Sequence, residues 1–149
     1  MKIEIKSISG KVLFEYDCED NTIRKTLEQA IKNSADLRFA DLRSTDLSSA
    51  DLSSADLRFA NLSSADLSSA KLRSANLSYA KLDKRYIQVT RIGSAKRITT
   101  YCFDDDIIWC GCFTGGLEQF EAQVNETHKG NEQYLKEYLG FINYIKSLK

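Results

Sequence analysis

The stretch SADLRFADL, Ser34 to Leu42, returns as SADLRFANL from Ser54 to Leu62. Inside it a shorter unit, ADLxx, recurs every five residues, and between Ala35 and Lys84 the chain divides into ten pentapeptides without insertion or deletion. The third residue is Leu in all ten, from Leu37 to Leu82. The first is Ala in nine, with Thr45 the exception, and the second is Asp, Asn or Lys. Self-similarity at a fixed period takes precedence over any helix or strand assignment.

A period of five suits neither straight element. On an α-helix, at about 100° per residue, each new Leu is turned by about 140° and the apolar stripe is smeared around the rod. On a straight strand the odd period throws Leu37 and Leu42 to opposite faces. Every Ala and Leu stays on one side only if the chain is extended through the first three residues of a unit and turns a corner in the last two. Many such corners wind the chain into a tube. The 20-residue echo implies four corners per turn, which stacks Phe39, Phe59 and Tyr79 in one column beside Arg38 and Arg58. It also places Asp51 next to Lys71, and Asp41, Asn61 and Lys81 in a graded column.

The run ADLRF-ADLRS-TDLSS-ADLSS-ADLRF-ANLSS-ADLSS-AKLRS-ANLSY-AKLDK resembles the pentapeptide-repeat proteins over 50 of 149 residues. The resemblance implies a right-handed quadrilateral β-helix with the central Leu and first-position Ala inside. Some members of that family bind DNA gyrase by imitating the DNA duplex, and for most no activity is known. Lys71 and Lys81 depart from the usual Asp or Asn of the second position and weaken an acidic surface. The tail motifs RIGSAKRITTY, WCGCFTGGLEQFE and NEQYLKEYLGFI resemble the tails of phage-type and gut-bacterial pentapeptide-repeat proteins, a likeness that brings no activity with it.

The expected fold is mainly β with α. A short β-helix of about 2.5 coils occupies residues 35–84, rising about 12 Å at the ~4.8 Å strand spacing. Residues 1–34 are expected to form an N-terminal hairpin and capping helix, and 85–149 a C-terminal α/β cap, because repeat ends expose apolar groups and unpaired backbone. Ile3, Ile5, Val12, Phe14 and Tyr16 alternate around a Ser9-Gly10 turn, as in a hairpin. Asn21 is expected to cap a helix over 22–32. Beyond residue 85 the pattern predicts strands near 86–92, 97–103 and 107–113, then helices near 115–128 and 131–147.

Twenty-one basic and twenty-one acidic residues cancel, so no global field attracts nucleic acid or an anionic membrane. No apolar run is long enough to span a bilayer as a helix, and MKIEIKSISG alternates where a signal peptide is continuously apolar. A cytoplasmic protein is expected, its four cysteines thiols rather than disulfides.

Cys102, Cys110, Cys112 and the single histidine, His128, form a soft ligand set of the type zinc takes, but not at a standard spacing. Cys110 and Cys112, two apart on one expected strand, face the same side. The simpler expectation is a core with incidental thiols, no metal, no cofactor and no catalytic residue. Asp104, Asp105 and Asp106 read as a solvated turn before a cation site, and Thr114-Gly115-Gly116 as a Thr N-cap before an anion cradle.

The surface singled out is the outward column of Phe39, Phe59 and Tyr79 with Arg38 and Arg58. Three large rings need cover, from the chain's own terminal elements first, and from self-association or another protein next. The expected function is therefore a non-enzymatic protein-interaction or structural module. A gyrase-binding DNA mimic is one alternative, although seven Asp, four Arg and three Lys leave the repeat segment neutral. A thiol or zinc-dependent activity in the tail is the other.

Overall fold

Strand β1 (Lys2–Lys6) pairs antiparallel with β2 (Val12–Asp17), and α1 (Ile23–Lys32) packs on that hairpin. They open a mixed α/β chain with three helices and antiparallel sheets, seen in a computed structural model that describes residues 1–94 and 96–149. The chain divides into two units, Met1–Asp83 and Lys84–Lys149.

In the first unit the alternating hairpin forms as its pattern requires, with Ile3 opposite Tyr16 and Ile5 opposite Phe14. A bulge between Ile5 and Lys6 shifts the register, so that Val12 stands exposed instead of joining the inner face. The helix is capped by Thr22, whose side chain accepts from the Lys25 N–H, and not by Asn21. Asn21 is buried and ties the unit together. Its Nδ2 donates to the Met1 and Tyr16 carbonyls, and its Oδ1 accepts from Thr22 N and Thr26 Oγ1.

The hairpin and α1 also hydrogen-bond the start of the repeats. Ile8 N–H donates to the Phe39 carbonyl at 2.8 Å and Asp41 N–H to the Lys6 carbonyl at 2.8 Å. Arg24 Nη1 donates to the Ser48 carbonyl, and Glu28 Oε1 accepts from Asp51 N. These contacts satisfy backbone groups that an open repeat end leaves bare.

Among the described residues no continuous strand runs through the repeats. Their pairing consists of single parallel bridges, each joining a unit to the fourth one after it: Asp41 with Asn61, Asp46 with Asp66, Asp51 with Lys71, Asp56 with Asn76 and Asn61 with Lys81. Backbone bonds of about 2.9 Å run both ways along each column, as from Leu42 N to Asn61 O and from Asn61 N to Ala40 O. Leu37, Leu42, Leu47, Leu52, Leu57, Leu62, Leu72 and Leu77 are buried, as are six first-position alanines, while Leu67 and Leu82 are half-buried.

The second unit is a four-stranded antiparallel sheet in the order β3 (Tyr86–Val89), β4 (Thr99–Cys102), β5 (Ile107–Cys110), β6 (Phe113–Gly115). Helices α2 (Leu117–His128) and α3 (Glu132–Ser147) supply Leu117, Phe120, Val124, Tyr138, Phe141, Ile142 and Ile145 to one core with Tyr101, Ile108 and Cys110. The expected single strand over 107–113 is instead two, because Gly111 adopts φ 55 and reverses the chain. Thr114 therefore lies on β6, and Gly116 is the N-cap of α2, its N–H held by Gln119 Oε1.

Replacing Leu62 by Asp is expected to cost more than about 4 kcal/mol and abolish a cooperative melt, because it buries a carboxylate among Leu and Ala. Ser63→Asp, on the outer surface, should shift the melting temperature by no more than about 2 °C. Equal losses for the two variants in thermal circular dichroism would mean that the inward register is wrong.

Candidate functional site

Three parts recur at the corners of the repeats. The Leu37 carbonyl accepts from Ala40 N–H at 3.1 Å, and the same i to i+3 bond recurs at residues 47, 52, 57, 62, 67, 72 and 77. The fifth residue of each unit from Phe39 to Tyr79 takes positive φ, between 53° and 62°. With positive φ only at the third turn position, this is the arrangement of a type II turn. The second-position carboxylate or amide then accepts from the N–H two residues on. Asp36 receives Arg38 N, Asp51 receives Ser53 N, and Asn61 receives Ser63 N, each at 3.1 Å. Asp or Asn at the second position is thus an Asx turn before it is a surface charge.

Positive φ costs an L-residue on the order of 1 kcal/mol. Six corners meet it with Ser, at 44, 49, 54, 64, 69 and 74, and three with Phe39, Phe59 and Tyr79. Those three rings stack as the 20-residue echo requires. Phe39 and Phe59 have centroids 4.8 Å apart and planes 8° from parallel; Phe59 and Tyr79 are at 5.0 Å and 6°. Phe39 is 50% exposed, Phe59 39% and Tyr79 80%, so the cover expected from the chain's own elements is not supplied by the hairpin or α1. Ile8 is a backbone neighbour of the ladder. It is exposed, and its N–H is bonded to the Phe39 carbonyl, a neighbour that no repeat pattern announces.

Arg38 and Arg58 do not reach freely from this surface. Each folds back as a fork on the carboxylate two residues earlier: Arg38 Nε lies 2.8 Å from Asp36 Oδ1, Arg58 Nε 2.8 Å from Asp56 Oδ1, and Arg43 repeats the fork on Asp41. The Arg38 side chain, and then its backbone N–H, pull the Asp36 carboxyl down to about 2. Asp41 and Asp56 are lowered in the same way, first by the Arg43 and Arg58 side chains.

The four soft ligands do not converge. Thr100 pairs with Trp109 across β4 and β5, so Thr99 lies opposite Cys110, and its hydroxyl donates to Cys110 Sγ at 3.2 Å. Cys102, three residues along, is on the other face of the sheet. Cys112 sits exposed on the reversal after Gly111, not beside Cys110 on one strand, and His128 ends α2 stacked on Tyr138 at 5.1 Å. Burial pushes the Cys102 and Cys110 thiols up, away from the thiolate that a nucleophile needs. Among the described residues no cluster of three His, Cys, Asp or Glu is placed to hold a metal. The three turn aspartates are bound by the chain itself: Asp104 to Arg85 N, Asp105 to Lys84 and Asp106 to Tyr101 and Lys149. The Asp106 carboxylate also lies against Gly116 at the start of α2, so the protein's own carboxylate stands where an anion would sit.

The lowered carboxylates set an acid limit. Their folded values lie below the ordinary 3.8, so their contribution is complete above about pH 4 and is lost as the pH falls toward 2. Melting temperatures should hold level from about pH 7 to 5 and fall below about 4. Asp36→Asn with Asp56→Asn, which keeps the Asx acceptor, should make that fall shallower; an unaltered acid limb in the double variant would remove the Arg forks as its cause. For the tail, prolonged chelation should leave the melting temperature unchanged, and a loss of several degrees with release of one zinc per chain would overturn the reading of Cys110 as a core residue.

Residues 26–58 and 50–84 match the family model described as Pentapeptide repeats, in eight copies. No curated protein and no solved structure matches the chain. The matched span contains the bridges between every fourth unit, the buried leucines and the stacked rings. Residues 26–84 are thus a segment of pentapeptide repeats, as that family model describes them.

Proposed function

We propose that the chain is a non-enzymatic protein-interaction or structural module, with Phe39, Phe59 and Tyr79, flanked by Arg38 and Arg58, as its contact surface. Its repeat segment is read as a right-handed quadrilateral β-helix of about 2.5 coils. Parallel bridges between every fourth unit support the four-sided winding, and the right-handed sense is the one that connections between parallel β segments take. Cytoplasmic residence belongs to the same proposal, supported by four free thiols. Among the described residues no helix is long and apolar enough to cross a membrane.

One observation carries the interaction reading. Three stacked rings stand exposed at corners where Ser serves the backbone equally well. The fold does not need them, and a continuous apolar stripe is what a contact surface uses. The gyrase-directed alternative has less support, because Asp36, Asp41 and Asp56 are neutralised by their own arginines. A duplex mimic has to present unbalanced negative charge every ~1.7 Å.

The triple variant Phe39→Ser, Phe59→Ser, Tyr79→Ser tests whether the rings serve a contact or the fold. It should keep the circular dichroism of the parent and lose no more than a few °C, since exposed stacks are worth only about 1 kcal/mol each. A loss above about 10 °C would show that the rings are part of the stabilising core and would sink the reading.

A further inference from the structure

The geometry points to a second copy of this chain, turned antiparallel, as the occupant of the ladder; this rests on the contact-surface reading above. Centroid steps of 4.8 and 5.0 Å with nearly parallel planes mean that the rings present their edges outward, at the spacing of the backbone itself. A flat ligand that stacks on ring faces finds those faces already taken between neighbours. Another ladder has the same rise, so its rings meet these in register along the whole stripe, as identical side chains do where two sheets close on each other.

The charges beside the ladder choose the direction. Asp41, Asn61 and Lys81 form one bridged column that runs from negative through neutral to positive. Arg43, Ser63 and Asp83 form the next, running from positive through neutral to negative. A two-fold axis perpendicular to the column, through the level of Phe59 and Asn61, sets Asp41 against Lys81 of the other copy and Arg43 against its Asp83. Asp41 keeps its own Arg43 fork, so the Asp41–Arg43 pair meets Lys81 and Asp83 of the other copy as one dipole against an opposed one, while on the other flank Asp36–Arg38 and Asp56–Arg58 are neutralised within each copy and present no net repulsion. The contact is isologous, so it closes after two copies.

The area fits. At ~200 Å² per ring, the exposed fractions of Phe39, Phe59 and Tyr79 give on the order of 300 Å² of apolar surface per copy. That is the apolar centre of an interface whose usual size is about 800 Å² per partner, with the graded columns as its polar rim.

Asn61 lies at the two-fold level, and its position in the repeat accepts Asp, as in Asp41, and Lys, as in Lys81, without loss of fold. In sedimentation at about 100 µM the parent should run at twice the chain mass, and the triple Ser variant at the chain mass. Asn61→Asp and Asn61→Lys each set like charges against themselves and should each raise the dimer Kd about tenfold. An equimolar mixture of the two should recover the parental mass as a heterodimer, while Lys71→Glu, two sides of the repeat away, should change nothing. A parent that sediments as a monomer, or a mixture no tighter than either variant alone, would overturn the antiparallel copy. Either result with an undiminished melting temperature in the triple Ser variant leaves the exposed ladder standing as a contact surface for another partner, whereas a collapsed melting temperature removes that surface as well.

Discussion

The corner governs the first unit. A left-handed fifth residue alone is unfavourable, and an Asx acceptor alone would close only a local loop. Together with the i to i+3 bond they turn the chain at most corners and return backbone N–H and C=O groups to partners four units away. The inward leucines follow from that return, because constant turning keeps the third residue of each unit on one side. Were the corners less regular, Leu42 and Leu62 would not share a column and the apolar interior would have no boundary.

This dependence changes how the surface charge reads. Eight second-position residues, six Asp with Asn61 and Asn76, are each committed to a turn. Where Arg follows two residues later, the carboxylate is also neutralised by the fork. Lys71 and Lys81 supply no such acceptor, yet their bridges to Asp51 and Asn61 persist, so the backbone column holds without every Asx turn. Such tolerance lets the repeat vary its outer charge while keeping its interior, the freedom that a recognition surface requires.

In the second unit cysteine and histidine serve packing. Thr99 to Cys110, the Tyr138 ring against His128, and Gly93 against that same ring are contacts within the sheet and helices of that unit. Gly93 takes φ 60, and a methyl group there would fall about 2 Å from Tyr138 ring carbons, so close approach and backbone conformation both require glycine. Glu137, one residue before Tyr138, holds the Gly93 N–H at 2.5 Å. These neighbours explain why a soft ligand set in the sequence is not a ligand set in space.

The period of five and its 20-residue echo were enough to determine the repeat segment, its inward leucines, the pairing of every fourth unit and the stacking of Phe39, Phe59 and Tyr79, since a regular repeat converts sequence spacing directly into spatial spacing. The hairpin, α1 and the order of strands and helices in the tail were legible for a related reason: alternation and helical periodicity are local. Tertiary structure decided the rest. Whether Asn21 caps a helix or bonds two elements depends on what lies beside it, and the bulge that exposes Val12 depends on its partner strand. The reversal at Gly111, which parts Cys110 from Cys112, turns on one residue's φ. Ile8 lies beside Phe39 only because a hairpin end pairs with the Phe39 backbone, a contact between segments far apart in the chain that no periodicity encodes.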